Sequence, residues 1–321
     1  MTRSLDGVVV IDKPIGPTSF AIVRDARRQT GVRKVGHGGT LDPLATGVLP
    51  ICFGEATKLA QFLLDADKEY QATICFGVET DTYDAEGKVT ATADAGRLSE
   101  EQVREALAGF IGEQQQIPPM FSALKRDGRP LHSYARAGEV LERAPRAVRI
   151  MTLDLVSFSA PLATIFMRCS KGTYVRSLAH DLGRTLGTGA HLTALRRTRS
   201  GPFTLAGAIA PEALAAETLP LVPLAEALSH LPAVVVSDEA ARAVSEGRRV
   251  AWAELLPATG PVALEGTRVR LLTLAGALVA VAPVAAPTDL VRTLRVFRVP
   301  LGSDGEKAAR LPAAPLPGVD G

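Results

Sequence analysis

"GHGGTLDPLATG", residues 36–47, places four glycines, Pro43 and two threonines around one histidine, His37, and one carboxylate, Asp42. The stretch is too rich in glycine for a helix and too interrupted for a strand. Glycine at this density gives up backbone entropy on folding and contributes no packing, so the segment reads as a loop built to hold Asp42. Its flanks define the fold around it. "GVVVIDKP" (7–14) is a short buried strand ended by Pro14, and "TSFAIVRDARRQTG" (18–31) is a helix that Thr18 or Ser19 caps and Gly31 stops. Beyond the loop, "VLPICFG" (48–54) predicts a strand, "EATKLAQFLL" (55–64) a helix with one apolar face, and "KEYQATICFG" (68–77) a longer strand.

Farther along, "VETDTYDAEGK" (78–88) is a turn-rich connector, and "AEGK" reverses the chain so that "VTATAD" (89–94) pairs back antiparallel. "SEEQVREALAGF" (99–110) opens on an N-cap serine and continues as an amphipathic helix; its capping box reads as imperfect, with Gln102 at the third position. "VRIMTLDLVSFS" (148–159) and "ATIFMRCS" (163–170) predict two strands, and "TYVRSLAHDLGRTLG" (173–187) a helix. Strands and helices mix without a regular βαβ alternation, which predicts an α+β fold with a mixed, largely antiparallel sheet.

At 321 residues the chain is long for one domain. The character changes near residue 232: "AVVVS", "RVRLLTLAG", "ALVAVAPVA" and "LRVFRVP" are short strand-like runs, with one helix at "DEAARAVSEG". We therefore expect a large domain over 1–231, a small β-rich domain over 232–300, and a disordered tail over 301–321, which is rich in Pro, Ala and Gly.

A hydrophobic share of 46% predicts an ordinary globular core. Cys52, Cys75 and Cys169 are odd in number and lie far apart in mostly apolar surroundings, which fits reduced thiols. The apolar run near the N-terminus is too short for a signal peptide, and no eighteen apolar residues occur in a row; the expected compartment is the cytoplasm, with no membrane association. Net charge is only +2, yet seven basic residues lie between Lys125 and Arg149 against three acidic ones. A polyanion would feel that excess, although a solvated charged face explains any single run equally well.

The glycines of residues 36–47 do not lead into a Gly-Lys pair, which disfavours a phosphate-cradling loop, and they match only the start of a dinucleotide fingerprint. His37 and Asp42 are too few for a metal site, and the five histidines do not cluster, so neither metal nor cofactor is expected. Two readings of Asp42 stand on the residues alone: a turn-former before Pro43, the ordinary role of an isolated Asp-Pro, and a positioned reactive carboxylate. Three segments bear on the choice. "QIPPMFSALKRDGRPLHSYARAGE" (116–139) interleaves basic residues with Phe121, His132 and Tyr134, as a surface that tracks phosphates and stacks on bases does. "RCSKGTYVRSLAHDLG" (168–183) carries Tyr174 and Arg176 at a helix start, where an arginine can pair with a carboxylate from another segment. "LTALRRTRSGPF" (192–203) groups Arg196, Arg197 and Arg199. If the three converge in the fold, a polyanionic partner is favoured.

"GVVVIDKPIGPTSF", "KVGHGGTLDPLATGVLPICFGEATKLAQ", "KEYQATICFGVETDTYDAEG" and the 116–139 and 168–183 segments occur in this order. Together they resemble the bacterial tRNA pseudouridine synthases of the TruB type, over about residues 6–204. Gly38 stands where many relatives carry a threonine or alanine. The resemblance implies a pseudouridine-synthase catalytic domain followed by a PUA-like RNA-binding domain. The implied activity is isomerisation of the uridine at position 55 in the tRNA T loop, by one chain acting alone. Asp42 matches the catalytic aspartate, Arg176 the arginine paired with it, and Tyr70 the tyrosine that packs against the target base. His37 matches the histidine that fills the gap left when the base swings out. Lys13 and Pro14 match the opening motif and are expected to brace the catalytic loop, while Leu195 and Tyr174 are expected at the base pocket. On this resemblance the glycines of the loop permit close approach of RNA. A binding-only, tRNA-folding protein stays open as the alternative; a nucleoside hydrolase is disfavoured by the missing cluster of metal-binding carboxylates.

Overall fold

The computed structural model describes residues 5–255 and 266–298. The chain divides into two compact units, Met1–Leu231 and Pro232–Gly321.

In the first unit, ten strands of the described residues form one sheet. Gly7–Lys13 is a run of β-branched side chains buried on both faces; it pairs antiparallel with Ala45–Phe53 and, at its other edge, parallel with Ala208–Ile209. Ala45–Phe53 continues parallel into Ala190–Ser200, which pairs antiparallel with Lys68–Phe76. Leu162–Cys169, Arg146–Ser159 and Gly112–Gln116 extend the sheet, all antiparallel. The mixed, largely antiparallel sheet expected from the sequence is the one observed.

The central strand Ala190–Ser200 was not expected, because its arginines suggested a surface charge cluster. Its alternation is that of a strand on either side of a register shift after Leu192: Ala190 and Leu192, then Leu195 and Arg197, are buried. This strand brings the site together, since Arg197 lies opposite both Gly47 and Tyr70, and Leu195 opposite both Ala45 and Ala72. The core gathers against the sheet from Ile11, Ile22, Phe53, Ile74, Ile165 and Leu178, each worth roughly 1.5–3 kcal/mol on full burial.

The helix Ser19–Thr30 begins where the Thr18 hydroxyl accepts the Ala21 N–H at 3.1 Å and ends at Gly31, whose φ of 71° closes the last turn. Two local expectations need correction. The capping box at Ser99 is complete: the Gln102 side chain accepts the Ser99 N–H at 2.9 Å while Ser99 Oγ accepts the Gln102 N–H at 3.2 Å, because a glutamine carbonyl accepts as a glutamate does. The stretch 55–64 is not one helix but a 3₁₀ turn, Gly54–Leu59, followed by a short α-helix, Ala60–Asp65. The basic segment forms a small hairpin, Lys125–Arg126 with Arg129–Pro130, and the helix Leu131–Arg136.

In the second unit, Ala233–Val235, Arg268–Leu272, Leu278–Pro283 and Arg295–Val296 form a four-stranded sheet. The helix Asp238–Ser245, capped by Ser237, packs its Ala241 and Val244 into a core with Trp252, Val269, Leu271 and Val279. The expected tail over 301–321 lies outside the described residues, as does most of the stretch between Leu255 and Arg268.

Candidate active site

Asp42 sits at a turn whose two neighbours are both tied down. On one side, Leu41 N–H donates to Ser19 Oγ at 2.8 Å and the Ser19 hydroxyl donates to the Leu41 carbonyl at 3.1 Å. On the other, the Pro43 carbonyl accepts from Gly16 N–H at 2.9 Å and from Lys13 Nζ at 3.3 Å. Ala45 N–H closes the turn on the Asp42 carbonyl at 3.1 Å. Lys13 is fully buried and also donates to the Pro14 carbonyl at 2.8 Å, so it braces the loop from below. Burial pulls its ammonium down to about 8, with the nearby carboxylates of Asp42 and Glu86 opposing the shift.

Two of the four glycines of the loop, Gly38 and Gly47, lie in close contact with the protein itself, whereas Gly36 has open space beside it. A Cβ on Gly38 would stand 2.7 Å from Leu63 Cδ1, and one on Gly47, at φ 99°, would stand 2.2 Å from the Arg197 carbonyl oxygen. The backbone of the loop therefore lies directly against the protein's own interior at both positions.

The Asp42 carboxylate meets Arg176 Nη2 at 2.9 Å. Arg176 stands in the first turn of the helix Val175–Thr185 with its side chain 5% exposed, against 38% for Asp42. It is therefore no surface residue. Its guanidinium also donates to the Thr82 carbonyl at 3.2 Å and the Phe121 carbonyl at 2.9 Å, and it faces Asp84 Oδ2 at 3.5 Å. One buried arginine thus joins the loop 36–47, the turn around Asp84 and the segment at 116–124.

Each partner is held in turn. The other oxygen of Asp84 is occupied by the Thr82 hydroxyl at 2.6 Å and the Glu86 N–H at 3.0 Å. Tyr83, at φ 64°, stacks on His180 with ring centroids 4.0 Å apart, and His180 lies one helical turn beyond Arg176. At the helix start, Tyr174 N–H donates to Gln116 Oε1 at 2.7 Å and Gln116 Nε2 returns a bond to the Tyr174 carbonyl at 3.0 Å.

A cavity of about 500 Å³ opens beside this network, lined by Asp42, Tyr70, Tyr174, Arg176, Leu195 and Arg197 among others. That volume suits a small organic group. Burial raises the Tyr70 hydroxyl, opposed by the Arg197 cation, and burial also raises Tyr174, opposed by the Arg176 cation. Both phenols are therefore neutral at neutral pH, an apolar ring with a polar tip. Of the two carboxylates near Arg176, Asp84 is buried and tethered, whereas Asp42 lines the cavity and can react.

The fold thus brings Asp42, Tyr70, Tyr174, Arg176 and Leu195 to one cavity. His37 and Lys13 stand outside its lining: Lys13 lies beneath the loop, and His37 is on the short strand Val35–His37 that leads into it, half-buried with Nδ1 unpartnered. The arginine cluster at 196–199 is no free basic patch. Arg197 is buried, Arg196 grips Asp12 with two bonds of 3.0 and 2.8 Å, and Arg199 faces Glu69. Asp84 and Arg197 are the site residues that sequence reasoning missed. "TDTYDAEG" read as a connector, yet a carboxylate two residues after a threonine in a turn is a usable signal for a tethered acid.

Residues 27–175 match the TruB family pseudouridylate synthase N-terminal domain, and residues 176–229 the tRNA pseudouridylate synthase B C-terminal domain. The chain is 50% identical to the tRNA pseudouridine synthase B of Burkholderia pseudomallei over 91% of its own length and 98% of that protein. With the same enzyme of Aromatoleum aromaticum it shares 52% identity over 78% of this chain and 82% of that one. Among solved structures, a chain of an archaeal box H/ACA ribonucleoprotein superposes with a TM-score of 0.71 at 27% identity, covering 91% of this chain and 86% of that one. A chain from an H/ACA ribonucleoprotein bound to a substrate RNA containing 2′-deoxyuridine gives the same TM-score at 28% identity, covering 91% and 85%. With an arginine-paired carboxylate at the cavity and identity of this extent, the chain belongs to the TruB family of tRNA pseudouridine synthases, isomerases that convert uridine in tRNA to pseudouridine.

Proposed function

We propose that the substrate uridine is the one at position 55 in the T loop and that Asp42 is the residue that attacks it. The observation that carries the role of Asp42 is its pair with Arg176 at 2.9 Å on the wall of the cavity, and the T-loop position rests on the family resemblance. A cation at that distance fixes the direction in which the carboxylate oxygen, the attacking atom, points into the cavity. The isomerisation breaks the bond from uracil N1 to ribose C1′, turns the base, joins C5 to C1′, and moves one proton from C5 to N1. Atoms and electrons balance within the nucleotide, so the chemistry calls on no external oxidant, reductant or activated phosphate.

A stacked base cannot reach a carboxylate inside a protein cavity, so the uridine is flipped out of the T loop first. Tyr70 and Leu195 hold the base between an aromatic face and an apolar side chain, and Tyr174 offers its hydroxyl at the rim. His37, outside the cavity but beside the catalytic loop, takes part of the vacated stacking space. The exposed cations Lys125, Arg126 and Arg129 and the β-rich second unit bind the RNA backbone, with one chain acting alone in the cytoplasm.

A minimal substrate tests the assignment. An unmodified T stem-loop should be converted at U55, with the product mapped as its stable carbodiimide adduct, and binding should weaken steeply with added salt as counterions are displaced. A strict requirement for the anticodon arm, or modification at another uridine of the full tRNA, would overturn the T-loop assignment.

A further inference from the structure

The role of Arg197 goes beyond the pairing of Asp42 with Arg176. Its side chain is 1% exposed, and among the described residues it has no carboxylate partner. Its charge is taken up by three main-chain carbonyls: Nε donates to Val48 O at 2.8 Å, Nη1 to Thr40 O at 3.2 Å and Nη2 to Gly39 O at 3.4 Å. Two of these lie just before Asp42 and the third just after the loop closes. Arg197 also sits opposite Gly47, where only a glycine allows the backbones to approach, and opposite Tyr70 on the other neighbouring strand. Burying a cation against neutral acceptors is costly, and an apolar side chain of similar volume would serve a sheet interior better. What an apolar side chain cannot supply is a planar fork that reaches both ends of one loop.

We propose that Arg197 is a positioning residue: it spans the loop 36–47 from both sides, fixing the carboxylate of Asp42 at a set height relative to Tyr70 across the cavity. This inference rests on the reading of Asp42 as the reacting carboxylate. Arg197→Lys keeps the charge but cannot reach all three carbonyls. Its single-turnover rate should fall by about 10²-fold, the scale of a small misplacement of reacting groups, while affinity for the T stem-loop stays within about threefold of the parent, a difference under one tenfold step. Hydrogen–deuterium exchange should rise in peptides covering 38–49 and stay unchanged in those covering 146–169. Asp42→Asn, run alongside, separates the two readings. If Asp42→Asn is inactive and Arg197→Lys turns over like the parent, the positioning role is overturned and the Asp42 reading stands. If Asp42→Asn is active, the Asp42 reading itself fails. Arg197→Met guards against a purely structural effect: exchange rising throughout the sheet in either variant, or both variants failing to fold, would mark Arg197 as a general element of the core and overturn the proposal.

Discussion

Asp42→Asn should abolish turnover, with a single-turnover rate on the T stem-loop lowered by about 10⁴-fold or more, as is common when a nucleophile is removed. The substitution keeps the size and planarity of the side chain. Ser19, Gly16 and Lys13 hold the flanking residues through main-chain atoms at 41 and 43, so the turn itself survives. Affinity for the RNA should match that of the parent or exceed it slightly, since a negative charge has gone from a surface that receives phosphates. His37→Ala makes the comparison sharp. On the role proposed for His37 it removes a stacking ring outside the cavity, worth about 1–3 kcal/mol, or about 5- to 150-fold, and leaves the reacting groups in place. If Asp42→Asn forms pseudouridine as fast as His37→Ala, Asp42 is only the turn-former that an Asp-Pro pair usually is.

That alternative role shows how far the sequence could be read. The loop itself was legible because glycine density is a local signal, and the strands Gly7–Lys13 and Lys68–Phe76 were legible because apolar periodicity is local too. The helix Ser19–Thr30 carried its own start and stop signals in Thr18 and Gly31. The central strand Ala190–Ser200 was not legible. Arg197 looks like any other surface arginine until three carbonyls from residues 39–48 are placed around it, and those lie about 150 positions away in the chain. Asp84 failed to stand out for the same reason: whether an acid in a turn is a solvated cap or a buried tether depends on what packs over the turn, here the first turn of the helix Val175–Thr185.

The glycines show the limit from the other side. Of the four, Gly39 and Gly47 have a positive φ, and Gly47 also has a neighbour that leaves no room for a side chain. At Gly47 the demand for a glycine comes from the Arg197 backbone, while at Gly38 the neighbour is the movable end of the Leu63 side chain. Sequence reports that space is short at a glycine and cannot report what fills it.

Arg176→Lys is the second variant expected to fail severely, and its failure should differ in kind. Arginine reaches four groups at once: the Asp42 carboxylate, the Thr82 and Phe121 carbonyls, and Asp84 at 3.5 Å. A lysine ammonium is a point donor and cannot span them. Two consequences follow from the difference in burial between the acids. Asp84, with its side chain 4% exposed, is left with a poorer counter-charge, and impaired buried pairs typically destabilise by about 3–5 kcal/mol when a partner is removed outright; the lysine should show a clear but smaller drop in Tm. Asp42, more exposed, loses its fixed direction, and the single-turnover rate should fall by about 10²–10³-fold, the scale seen when one oriented donor is lost from an active site. RNA affinity should hold, because a side chain 5% exposed has little surface to offer a phosphate. A lysine variant with the parental rate would mean that charge alone suffices at this position. A variant that loses affinity but keeps its rate would make Arg176 a phosphate ligand, and the pair it forms with Asp42 a feature of the free enzyme with no part in the chemistry.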